Sequence, residues 1–186
     1  MRDRSGLVFF TFAAVVSTLA AREQPSLLAW LAALHNMILA LIYSRRKPAK
    51  KDDRLGLCLG MLGALVPLLA PYPITMQLPW IILGLLGYVS ILWSLITLRN
   101  CFGVAPADRG LIDSGPYRLV RHPMYLGELV LRAALIASSP KPLIGLPMLV
   151  VFTAIQILRA RREEGIISGY ANYASQVRYR LLPGVW

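Results

Sequence analysis

Gly115-Pro116-Tyr117-Arg118-Leu119-Val120-Arg121-His122-Pro123-Met124-Tyr125 stands between two long apolar runs. Gly115-Pro116 reads as a turn. Pro123 suits the first turn of a helix, where its missing N–H costs nothing. A polar loop therefore ends at His122, and a hydrophobic helix opens behind it. His122 sits at the helix mouth, beside backbone donors that have no partner within the helix. Such a mouth can hold the carboxylate of a small ligand. The competing reading is an interfacial linker whose Tyr and Arg side chains anchor it at headgroup level.

Working outward, six apolar segments can be counted: Gly6–Ala21, Ser26–Tyr43, Leu55–Ala70, Pro79–Leu98, Met124–Ser139 and Leu143–Leu158. Each is about 16–20 residues, near the length a helix needs to cross the hydrocarbon core. None alternates with period two, which argues against a β-barrel. The expected fold is an all-α integral membrane protein with five or six transmembrane helices. Met1-Arg2-Asp3-Arg4 before the first segment also suits a signal peptide; the segment is read as a retained helix. Composition agrees, since 56% of the 186 residues are hydrophobic and only 16% charged, too apolar for an ordinary soluble domain.

The net charge of +11 lies between apolar runs, where it suits anionic headgroups rather than nucleic acid. Cys58 and Cys101 have no second cysteine or histidine at metal spacing, so neither a metal site nor a disulfide is expected. The connection Arg45–Arg54 is strongly basic and should face the cytoplasm. Counting from it places the N-terminus, the Arg99–Pro123 loop and the C-terminal tail on the same side. Arg22–Pro25, the uncharged Pro71–Pro79 and Ser139–Pro142 fall opposite, with almost no basic residues. If one short segment fails to cross, the count drops to five and the N-terminus flips. The bacterial inner membrane is the expected location.

Polar residues collect in the second half. Residues 1–98 hold about four simple hydrophobic helices, and residues 99–186 hold the candidate site with two further helices and a C-terminal helical region. Arg159 and Glu163 are four apart and share a face if the sixth helix continues past the membrane. An ion pair within that helix is one account of them. Ligand binding is the other, with the carboxylate taking an ammonium and the guanidinium a carboxylate. Tyr170, Tyr173 and Val177 form an amphipathic face, which packing, a lid or a membrane surface would each explain. Glu128 and Arg132, also four apart, suggest a pair within the fifth helix. His35-Asn36 suggests interhelical hydrogen bonding or a substrate cavity.

Gly115-Pro116-Tyr117, Arg121-His122-Pro123-Met124-Tyr125-Leu126-Gly127, Arg159–Glu164, Tyr170-Ala171-Asn172-Tyr173 and Tyr179–Gly184 occur in this order. Together they resemble the isoprenylcysteine carboxyl methyltransferase family and its phospholipid methyltransferase-like relatives, over roughly residues 95–186. The resemblance implies a membrane enzyme that uses S-adenosylmethionine without a Rossmann domain. By similarity, Leu111, Ile112, Tyr117, His122, Pro123, Met124, Tyr125 and Glu163 would hold the cofactor. Arg159 would meet the acceptor's carboxylate, with Tyr173 beside it as a substrate contact. Arg159, Glu163 and His122 are the expected catalytic set. Only five residues separate Glu164 from Tyr170, fewer than in the eukaryotic members.

The implied reaction is methyl transfer to a lipophilic acceptor, a prenylcysteine-type carboxylate or related small acid or thiol. A carboxylate or thiolate needs no base, so alignment and desolvation would carry the rate. A phospholipid amine is the alternative acceptor; it must attack in its neutral form, and Glu or His could take its proton. A small non-catalytic transporter or scaffold that uses its basic loops as lipid contacts is the alternative of another class. Transporters often carry paired repeats, and none is seen in the sequence.

Overall fold

The computed structural model describes residues 4–23, 25, 27–50, 53–65 and 76–186. These hold seven α-helices and no β-strand. They are α1 (Arg4–Glu23), α2 (Leu27–Ser44), α3 (Arg54–Leu65), α4 (Leu78–Leu98), α5 (Pro123–Ala137), α6 (Pro142–Ile166) and α7 (Tyr170–Gln176). Single 3₁₀ turns cover Arg99–Cys101 and Gly115–Arg118. Among the described residues, each of the six expected segments overlaps a helix. The end of the third segment, most of the Pro71–Pro79 connection, and Gln24, Lys51 and Asp52 lie outside the described residues.

Among the described residues, three helices are long and apolar enough to cross a membrane: Gly6–Glu23, Leu78–Cys101 and Pro142–Ile166. Ala29–Ser44 is a shorter apolar helix. On α4 the exposed large side chains are Leu78, Ile82, Leu86, Val89, Trp93 and Ile96. Steps of three and four residues put them on one face. The opposite face buries Gly84, Gly87, Tyr88, Ile91, Ser94 and Leu95. An apolar stripe left open along such a helix suits lipid rather than water.

The chain divides into two compact units. The first contains α1, α2 and Arg99–Phe102. There Asn36 of α2 donates to Ser17 of α1 at 3.2 Å, which matches the interhelical reading of His35-Asn36. Phe10 and Tyr43 pack ring against ring at 4.8 Å.

The second unit contains α3 to α7 and their loops. Gly87 of α4 and Gly127 of α5 face each other across a close backbone approach. A Cβ on Gly87 would lie 2.7 Å from both Gly127 O and Leu131 N. Ser90 of α4 donates to the Pro123 carbonyl at 3.0 Å, fixing the start of α5 against α4. The sixth helix runs to Ile166, so Arg159–Glu164 does continue it beyond Leu158.

Candidate active site

The Gly115–Tyr125 loop enters as a 3₁₀ turn and leaves as helix α5. Gly115 has φ 56°, a left-handed conformation that glycine adopts without a Cβ penalty. A Cβ there would also press on Thr97 Oγ1 at 2.9 Å. Pro123 opens α5 and His122 is its N-cap residue, as the sequence suggests. The cap is unusual because the His122 side chain makes no bond to the helix end. Its backbone N–H instead donates to Arg180 O at 2.9 Å, and the Arg121 N–H donates to Tyr179 O at 2.9 Å. The chain after α7 thus pairs with the loop and leaves the imidazole free to turn inward.

That imidazole is 5% exposed and meets four side chains. Nδ1 lies 3.5 Å from Glu163 Oε2. Nε2 lies 3.3 Å from Glu164 Oε1 and 3.1 Å from the Tyr170 hydroxyl. The ring also stacks on Tyr125, with centroids 5.5 Å apart and an 8° tilt. Burial opposes charge on His122, but the hydrogen bonds to Glu163 and Glu164 outweigh it and raise its pKa.

Glu163 also accepts the Tyr125 hydroxyl proton in a hydrogen bond. Glu164 is gripped by Arg180, whose Nε and Nη2 donate at 2.8 and 2.9 Å, and by Arg121 Nη1 at 3.2 Å. The two-pronged Arg180 contact is the geometry a guanidinium offers a carboxylate. Three pieces far apart in sequence therefore meet at one pair of glutamates: the His122 loop, the end of α6 and the tail after α7.

Arg159 is buried. Its Nη1 donates to Gln156 Oε1 at 2.9 Å, and its Nη2 donates to Val104 O at 3.1 Å. The guanidinium carbon lies 4.7 Å from the Tyr125 ring centre, a cation–π contact. Gln156 in turn donates to Glu128 of α5. Arg159 and Glu163, expected to share a face, do so, and each reaches groups on other elements. Glu128 likewise has an interhelical partner that its spacing to Arg132 did not suggest.

An aromatic cluster flanks the ionic one. Tyr117, Tyr170, Tyr173 and Val177 are buried together, with Leu98, Leu111, Ile112 and Ile167 packed against them. The Tyr173 hydroxyl donates to Tyr117 O at 2.6 Å. The Tyr170–Tyr173 face thus packs on the loop. Beside it opens a cavity of about 440 Å³, lined by Asp113, Ser114, Arg118, Tyr173, Gln176 and Val177. Burial raises the Tyr170 and Tyr173 pKa values, so both stay neutral near pH 7. Asp108, 1% exposed, anchors the α6–α7 link by accepting from Ser168 Oγ at 2.6 Å. That bond is the main cause of its lowered pKa.

The expected residues separate into these two neighbourhoods. His122, Tyr125, Arg159 and Glu163 meet in the ionic one; Leu111, Ile112, Tyr117 and Tyr173 belong to the aromatic one. Arg159 and Tyr173, paired at first as substrate contacts, make their main contacts in different clusters. Sequence reasoning assigned no role to Arg121, Gln156, Glu164 or Arg180. Three of these lie inside the quoted motifs, which was the available signal. Gln156 carried none, because one amide in an apolar helix looks like any packing residue.

Long apolar helices and a buried ionic centre at the end of α6 define a helical membrane protein with a built site. A family model described as phospholipid methyltransferase matches residues 74–171, just over half of the chain, and the chain belongs to this membrane methyltransferase family. The match takes in the loop, α5, α6 and the first residues of α7, and ends before Tyr173 and Arg180. No curated protein matches the chain.

Proposed function

We propose that the protein transfers a methyl group from S-adenosylmethionine to a lipophilic acceptor at the cytoplasmic face of a bacterial inner membrane. The observation that carries this is the buried meeting of His122, Tyr125 and Glu163 where the loop turns into α5. The donor set suits the cofactor. Carboxylates can take an ammonium or face a sulfonium, aromatic faces attract cations, and Tyr117 with Leu111 and Ile112 offers an apolar wall. When bound, the cofactor supplies an activated methyl group whose leaving group is neutral.

In this reading His122, Pro123, Met124, Tyr125 and Glu163 hold the cofactor with Leu111, Ile112 and Tyr117. Glu164, Arg121 and Arg180 keep the His122 ring in place. Arg159 lies on the acceptor side, where alignment and exclusion of water favour displacement. The acceptor enters laterally between helices. Five or six membrane spans, with the basic loops inside, are consistent with three long apolar helices and one shorter apolar helix among the described residues.

A prenylcysteine-type carboxylate suits the cation at Arg159. A phospholipid amine is the second reading. The family match favours it, and so does the engagement of both Arg159 terminal nitrogens by protein acceptors. The test is calorimetric titration of the purified protein with S-adenosylmethionine, followed by mass spectrometry of lipid extracts incubated with a labelled methyl donor. Saturable binding and a labelled lipid are expected. No binding would favour a transporter or scaffold.

A further inference from the structure

We infer that Glu128, one turn beyond Tyr125 on α5, is a positioning residue that holds the Arg159 guanidinium through Gln156. This rests on the reading of Arg159 as the acceptor-side cation. Two stripes face each other across the helix pair. On α5 they are Tyr125 and Glu128, three residues apart. On α6 they are Gln156, Arg159 and Glu163, which share one face. Tyr125 meets both Arg159 and Glu163, and Glu128 meets Gln156.

The chemistry of an amide makes this chain directional. Gln156 is fully buried, with one donor end and one acceptor end. Its NH₂ donates to the Glu128 carboxylate, so its carbonyl must point the other way. There it meets Arg159 Nη1 at 2.9 Å. A flipped amide would set oxygen against carboxylate and NH₂ against guanidinium, leaving mismatched buried groups on both sides. Glu128 thus selects one amide orientation, and that orientation selects one place for Nη1. Val104 O holds the other terminal nitrogen, and the Tyr125 ring lies against the guanidinium. Glu128 needs no contact with the cofactor or acceptor to matter.

Simple interhelical glue would use the same bond, so the test must move something that glue does not. The protein in lipid nanodiscs is compared as wild type, Glu128→Gln, Glu128→Leu and the swap Glu128→Gln/Gln156→Glu. The swap rebuilds the chain with the carboxylate one step nearer Arg159. Labelled methyl transfer into a bacterial lipid extract is followed as extract concentration varies, with S-adenosylmethionine affinity measured separately. Glu128→Leu is expected to raise the apparent KM for extract, or lower kcat, by at least about tenfold, the effect of losing one charge-assisted hydrogen bond. Cofactor affinity should change less than about threefold, and the swap should recover most of the loss.

A second readout does not depend on turnover. With ¹⁵N-labelled arginine, the Arg159 side-chain signal, assigned through Arg159→Lys, should shift or broaden in Glu128→Leu and return in the swap. An unchanged signal in Glu128→Leu, or a swap no better than the worse single variant, overturns the positioning role. Absence of cofactor binding in the wild type overturns the methyltransferase reading instead, and the arginine signal then judges the Glu128 chain alone.

Discussion

At the residue scale the site depends on which groups face the His122 ring. Glu163 and Glu164 take its two nitrogens, Tyr170 shares one of them, and Tyr125 stacks on it. The raised His122 pKa has a definite sign. Its folded value lies above the usual value of about 6.5, so its contribution to stability is complete below that pH and is lost as pH rises through the folded value. Tyr170 stays neutral throughout that range. A thermal-midpoint series from pH 6 to 9 should therefore fall more steeply for wild type than for His122→Gln. Glu163→Gln keeps the shape but removes the charge, and should weaken S-adenosylmethionine binding about 10- to 100-fold by calorimetry. Full affinity in that variant would remove Glu163 from the cofactor site.

At the element scale the loop's position depends on how closely α4 and α5 approach. A methyl group at Gly87 has no room, because the nearest atoms belong to the backbone of α5. Gly87→Ala should destabilise the protein by about 1–3 kcal/mol. It should also shift the start of α5 and thus reduce activity, while Leu86→Ala on the exposed stripe leaves both nearly unchanged. Thermal midpoints and initial rates of the two variants side by side would check this. The helices themselves were legible in the sequence: α4 and α5 begin and end within two residues of their apolar runs, and α6 begins one residue before its run but extends eight residues past it. The run of α6 past Leu158 was a condition rather than a reading of the sequence, and the fold meets it by carrying the helix to Ile166. The close approach was not, because a glycine in an apolar run does not disclose what packs against it.

At the scale of the second unit, one ionic knot joins the loop, α6 and the tail. Arg180 is the tail's contribution, through its fork on Glu164 and its carbonyl on the His122 N–H. Arg180→Lys loses the two-pronged grip while keeping the charge. It should loosen the residues after α7, seen as faster amide exchange over Val177–Trp186, and weaken cofactor binding several-fold. Exchange and affinity both unchanged would show that the tail does not support the site. Arg180 was visible as a motif residue before its role was, since only the fold turns the tail back onto residue 121.

By itself the sequence determined the helical membrane character, the place of the loop and the residue types at the site. Each follows from local facts: apolar run length and the Gly-Pro and His-Pro punctuation between the runs. Tertiary structure alone decided which polar groups meet. Glu128 and Gln156, Glu164 and Arg180, and Arg159 and Val104 are distant in sequence and are joined only by helix packing and chain reversal. The physical reason is that helical periodicity states which side of a helix a residue occupies, while its partner is set by the rotation and depth of the neighbouring helix. A buried charge reveals its partner only once both are in place.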